Sequence, residues 1–204
     1  MISILMILLY YSMFIYGNLI KGPILTIVNL SVFVLLFILT IMFNKTIIKN
    51  DLCKLKNDFK TNIKYIIIYS IIAAIGYSVV SILVGSLLDS VVITEESVAD
   101  SNLIQVFFNL LIWAPITEEL LFRSQLNKNI KNKVLFIILS SVLFAGVHVL
   151  GNGFNYVTLL SSIPYLVLGI YFALLYKKTN NIIINIVMHL LINVIGVITI
   201  LSMI

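Results

Sequence analysis

The chain has 204 residues, of which 61% are hydrophobic and 10% charged. A water-soluble domain carries roughly 45–50% apolar and about 25% charged residues, so the surplus belongs in lipid. The net charge of +5 does not point to nucleic acid, because the basic residues stand in short segments between apolar runs, where membrane orientation accounts for them.

The apolar runs predict an all-α, polytopic membrane bundle of about seven transmembrane helices, at residues 2–17, 22–43, 65–88, 103–126, 134–150, 156–176 and 181–203. The chain reads as a single membrane domain, 1–204, with chemistry concentrated in a core at 103–203. Met1-Ile2-Ser3 lacks the basic start of a secretory signal, so residues 2–17 read as a retained span. The segment 44–64 carries six lysines and reads as a cytosolic loop or a helix on the inner leaflet, where anionic lipid suits it. Residues 89–102 carry Asp89, Glu95, Glu96 and Asp100 and no base. Arg123, Lys128, Lys131 and Lys133 lie at 123–133, and Lys177 and Lys178 follow the sixth span. Twelve of the thirteen basic residues thus fall on one side, with Lys21 on the other. The expectation is a multi-pass protein of the cell membrane with a cytoplasmic N-terminus and an external C-terminus. The composition, rich in Ile, Asn and Lys, suits an AT-rich bacterial genome. Cys53 is the sole cysteine, which rules out an intrachain disulfide and reads as a free cytosolic thiol.

Ionisable residues inside spans are costly and mark functional sites. In Glu118-Glu119-Leu120-Leu121-Phe122-Arg123, Glu119 and Arg123 stand four apart on one helical face and can pair. Glu118 lies about 100° around the axis, outside that pairing, and a carboxylate so placed suits general acid–base work. Pro115, one turn earlier, frees the carbonyl of Leu111 and can kink the span; Pro164 does the same in the sixth. In the fifth span Phe144 and His148 share a face, so the ring can restrict the imidazole. In the seventh, His189 and Asn193 share a face, with Asn185 one turn before them. Each group has a plain structural reading: charges paired near the interface, a hydrogen-bonded core histidine, an asparagine joining helices. Yet rise along the helix places Glu118, His148 and His189 roughly 18, 22 and 12 Å from their basic ends. That is one slab of the bilayer, and a shared depth is most economically explained by one site.

Glu118-Glu119-x-x-x-Arg123, Phe144-x-x-x-His148 and His189-x-x-x-Asn193, in this order in membrane helices and using both histidines of the chain, resemble the CPBP family. These are the CAAX proteases and bacteriocin-processing enzymes also called Abi proteins. The resemblance covers residues 103–203. It implies an intramembrane endopeptidase in which Glu118 activates a water with help from His148, while His189 and Asn193 stabilise the oxyanion. Glu119, Arg123 and Phe144 support the site. Many members are called metalloproteases, so the resemblance also leaves a Zn²⁺ site of Glu118, His148 and His189 open. Asn193 is a poor zinc ligand and tilts the reading towards the metal-free scheme. The implied partners are membrane lipid and a membrane-associated peptide or protein substrate: a leader peptide, a bacteriocin or a signalling peptide. No His-Glu-x-x-His, Gly-x-Ser-x-Gly or Gly-x-Gly-Asp occurs, which argues against other intramembrane protease chemistries. The competing classes are a non-enzymatic bacteriocin-immunity or scaffold protein with an idle site, and a proton-coupled transporter.

Overall fold

The computed structural model describes residues 7–11, 23–88, 107–149 and 153–201; the acidic segment expected at 89–102 and most of the first expected span lie outside them. The described residues are helical, with no strand among them. Helix α1 spans Pro23–Asn57 and α2 Phe59–Leu88. Next comes a rod, residues 109–129, in four pieces: a π-helical segment Asn109–Trp113, α3 Ala114–Glu119, a second π-helical segment Leu120–Gln125, and α4 Leu126–Asn129. Helices α5 (Lys133–Val149), α6 (Tyr156–Thr179) and α7 (Ile182–Leu201) follow.

Among the described residues four stretches are long and apolar enough to cross a membrane: Ser31–Asn57, Phe59–Leu88, Tyr156–Thr179 and Ile182–Thr199; Lys133–Val149 is a shorter apolar helix. Their outward faces fit the solvent for which they are built. On α2, Ile67, Ile71, Ile75 and Ile82 are exposed, while Asn62, Ser70 and Ala73 are buried. This polarity is reversed from that of a water-soluble helix, and it gives lipid the apolar side chains and the interior the polar ones.

The polar segment 44–64 is neither a loop nor a separate surface helix. It prolongs α1 to Asn57, turns at Asp58 and opens α2. Nothing in 44–64 breaks a helix, since the stretch holds no Gly or Pro, and Asp51 pairs with Lys54 at 2.9 Å along it. At 35 residues α1 is roughly 50 Å long, more than a bilayer core of about 30 Å, so its lysine-bearing end projects beyond the lipid. That projection is anchored. Asp51 is buried; its Oδ2 accepts the Ile182 N–H at 2.8 Å, and its carbonyl accepts from the Asn181 amide at 2.9 Å. A carboxylate from α1 thereby caps the start of α7, where unpaired N–H groups favour negative charge.

Helix α6 packs between α5 and α2, while α7 packs against α1, α2, α3 and α6. Asn155 caps the start of α6 by accepting the Thr158 N–H at 2.9 Å. At its end Asn180 takes a left-handed conformation, φ 45°, which asparagine tolerates better than most residues. The immediate turn brings α7 back beside α6. The basic residues gather at this end: Lys177 donates to Asn127 and lies 4.4 Å from the Phe136 ring centroid, and Lys178 lies over Tyr65.

Helices α5 and α6 meet backbone to backbone beside the site. A Cβ placed on Gly169 would sit 2.8 Å from the Cα of Ser141 and 3.1 Å from its carbonyl oxygen. Only glycine admits this approach. Gly169→Ala should therefore push α5 from α6 and destabilise the protein by about 1–3 kcal/mol, measurable as a lower melting temperature in detergent; an unchanged melting temperature contradicts the packing.

Candidate active site

The two π-helical segments flank the glutamate pair. In each the backbone hydrogen bond spans one residue more than in an α-helix, and the first ends two residues before Pro115, whose missing N–H and ring disfavour an ordinary turn there. The expected effect of Pro115 thus takes the form of a widened turn. In the second segment the Phe122 carbonyl accepts the Ser140 hydroxyl at 2.9 Å, which ties the rod to α5. Further along, Asn44 of α1 accepts from Ser124 at 3.1 Å and from Gln125 at 2.7 Å.

Glu119 is wholly buried and has three partners. Arg123 Nε stands 3.3 Å from Oε2, Asn185 Nδ2 donates to the same oxygen at 3.2 Å, and His189 Nδ1 donates to Oε1 at 3.0 Å. The i,i+4 pair read from the sequence is present, and α7 adds two further contacts to it. Arg123 also donates from Nη2 to the Gly169 carbonyl at 3.2 Å, with its guanidinium 4.6 Å from the Phe144 ring centroid and 5.2 Å from that of Phe172. Five donors in a rigid fork suit such a crowded apolar setting.

Glu118 points elsewhere. Its Oε1 accepts the Tyr10 hydroxyl at 2.6 Å, and its Oε2 is buried without a hydrogen-bond partner among the described residues. Buried polar atoms are seldom left so, and an unpartnered carboxylate oxygen is one that a water or substrate can engage. Glu118 lies within electrostatic reach of His189 and of Tyr165. Tyr165 stacks on His148, ring centroids 4.4 Å apart.

His148 gives Nδ1–H to the Phe144 carbonyl at 2.8 Å, which leaves Nε2 with the free lone pair. Phe144 joins the two histidines: its ring centroid is 4.6 Å from that of His148 and 5.7 Å from that of His189. Phe172 stacks on the other side of His189 at 4.7 Å. Asn193 gives one amide hydrogen to the Leu110 carbonyl at 2.7 Å. An amide has a second hydrogen, so this bond does not use up its donors. The structure thus groups Glu119, Arg123, Phe144, His148 and His189 around one aromatic centre, leaves Glu118 on Tyr10 within electrostatic reach of His189, and ties Asn193 to the start of the rod.

The ligand set Glu118, His148 and His189 does not fit a zinc ion in this arrangement. Among the described residues no three His, Cys, Asp or Glu side chains are placed to hold one metal. The two histidines bond through Nδ1 to Phe144 and Glu119, which leaves each Nε2 able to accept, and Glu118 turns towards Tyr10.

Tyr10 and Asn185 join the site without having been expected there from the sequence. A phenol inside the short apolar run 2–17 is the signal the sequence carries for Tyr10, and the spacing of Asn185 one turn before His189 is the signal for the other. Removing one member of a buried pair strands the other charge and costs about 3–5 kcal/mol. Arg123→Ala should accordingly lower the folded yield in membranes, as read by size-exclusion chromatography after solubilisation; a monodisperse variant at normal yield would show that the guanidinium is dispensable to folding.

Residues 100–195 match the family model described as Rce1-like, type II CAAX prenyl endopeptidase. The chain is 41% identical over 85 residues to the UPF0177 protein YxdF of Lactococcus lactis subsp. lactis, an alignment covering 42% of this chain and 44% of that protein. It is 31% identical over 177 residues to an uncharacterized protein of Mycoplasma capricolum subsp. capricolum, covering 76% of this chain and 50% of that one. The chain spans about half the length of the curated relatives it matches. No solved structure matches it. The matched stretch holds every one of the three motifs, from Glu118 to Asn193, so the likeness of this chain to the Rce1-like CAAX endopeptidase family rests on residues 100–195.

Proposed function

We propose that the protein is an intramembrane endopeptidase that hydrolyses a peptide bond of a membrane-associated peptide with a water activated by Glu118. The observation that carries this is the division of the glutamate pair. Glu119 is neutralised by Arg123, His189 and Asn185, whereas Glu118 keeps one buried oxygen without a partner among the described residues. A structural pair would satisfy both carboxylates, and a general base needs one lone pair left open.

In this scheme Glu118 Oε2 takes a proton from water as the oxygen attacks the scissile carbonyl. His148 Nε2, left with its lone pair by the Nδ1 bond to Phe144, takes that proton on from Glu118 and passes it to the leaving amine as the C–N bond breaks. His189, held by Glu119, and Asn193, through its second amide hydrogen, supply donors to the oxyanion, where preorganised dipoles act most strongly. No step is routed through a metal. The end that gathers Lys177, Lys178 and the projection of α1 faces the cytosol. The substrate class is a leader peptide, bacteriocin or signalling peptide. Self-immunity or scaffolding without proteolysis is the second reading; it predicts a phenotype that survives loss of the base.

Glu118→Gln keeps shape and one hydrogen-bonding oxygen but cannot accept the proton. It should cut cleavage of a peptide substrate by about 10²–10⁴-fold in a reconstituted assay, with the fold intact. A cellular phenotype that persists in this variant would replace the peptidase reading with immunity or scaffolding. Asn193→Ala should lower kcat by about 10²–10³-fold, and dialysis against a strong chelator should leave cleavage by the wild type undiminished. Loss of cleavage on chelation, restored by Zn²⁺, would overturn the metal-free scheme.

A further inference from the structure

Tyr10 lies outside the stretch that matches the family model, yet it touches the proposed base. Its ring is fully buried, and its hydroxyl donates to Glu118 Oε1 at 2.6 Å. The ring cannot swing freely. It stacks on Trp113 with centroids 5.2 Å apart and 11° between planes, and Trp113 in turn stacks on Phe33 of α1 at 3.8 Å. Phe122 meets the Tyr10 ring edge-on at 5.8 Å. Three aromatic side chains from α1 and the rod therefore hold one phenol against one carboxylate oxygen. The neighbouring Tyr11 acts elsewhere, since its hydroxyl donates to the Leu143 carbonyl of α5.

We propose that Tyr10 is a positioning residue for Glu118, fixing the carboxylate through Oε1 so that Oε2 is the oxygen presented to water. This rests on the peptidase reading above. A carboxylate attached by a flexible stem has rotamers in which either oxygen, or neither, faces the reaction. A charge-assisted hydrogen bond of this length is strong enough to select one. The aromatic stack makes the donor rigid, and rigid support is what separates a present base from a productive one. The phenol itself does not touch substrate. The N-terminal part of the chain thus contributes to the site through residues 7–11 as well as through α1.

The test compares Tyr10→Phe with Tyr11→Phe, each removing one hydroxyl and keeping its ring. Two readouts are taken on the full-length protein in vesicles. In the first, cleavage kinetics, Tyr10→Phe should lower kcat by about 10–100-fold with KM little changed, because no substrate contact is lost. Tyr11→Phe should leave kcat near the wild-type value. In the second, the infrared carboxyl band of Glu118, isolated by subtracting the spectrum of the matching Glu118→Gln protein, should shift in Tyr10→Phe and stay in place in Tyr11→Phe. An unshifted band in Tyr10→Phe overturns the proposal, as does a shifted band with unchanged kcat. Equal losses of kcat in both phenylalanine variants also overturn it, since they mark general loosening. If the wild type cleaves no peptide, the peptidase reading fails, and the infrared band alone decides whether Tyr10 orients Glu118.

Discussion

A charge inside a bilayer must be matched within the protein, because no water is present to match it. Glu119 is where this chain meets that demand, and the arrangement of four helices follows from how it does so. Arg123 answers from the same rod, His189 and Asn185 answer from α7, and Arg123 in turn reaches the Gly169 carbonyl of α6. Satisfying the carboxylate requires α7 beside the rod. Satisfying the guanidinium requires α6 behind it, and α6 can come that near only where Gly169 meets Ser141 of α5. Apolar packing alone gives little direction in lipid, whose tails are as apolar as the side chains. The polar network supplies the direction.

That network also frees Glu118. Adjacent carboxylates in a low-dielectric interior would ordinarily compete for the same cations. Here the helical offset sends them to different neighbours: Glu119 to Arg123, His189 and Asn185, and Glu118 to Tyr10 with an oxygen to spare among the described residues. Phe144 serves both groups. Its carbonyl fixes His148, and its ring lies against His148, His189 and Arg123 together. The aromatic cluster therefore sets distances that hydrogen bonds along a single helix could not.

Much of this is legible in the residues. Helix periodicity locates the spans from α2 onward, and the i,i+4 spacing of Glu119 and Arg123 is enough to foresee their pairing, because both facts are local. His148 and His189 stand out because ionisable groups are rare in such apolar segments. The partners are not legible. Nothing in the spacing of Asp51 says that it caps a helix 131 positions later, or that Tyr10 meets a glutamate 108 positions on. The polarity of 44–64 speaks for a break in structure, whereas its lack of Gly and Pro allows the helix to run on to Asn57. The two π-helical segments are hidden for a similar reason: a widened turn depends on what packs against it, as the Ser140 hydroxyl does on Phe122.

The position of α7 in the chain has a consequence for biosynthesis. Helices are delivered to the membrane in order, so Glu118, Glu119, Arg123 and His148 are inserted before residue 182 leaves the ribosome. At that stage Glu119 has Arg123 but neither His189 nor Asn185. A nascent chain therefore holds Glu118 and half of its aromatic cluster, with no second histidine opposite. Only when α7 enters, and Asp51 receives the Ile182 N–H, are the two halves joined. Assembly itself withholds the complete polar and aromatic cluster until the bundle around it has closed.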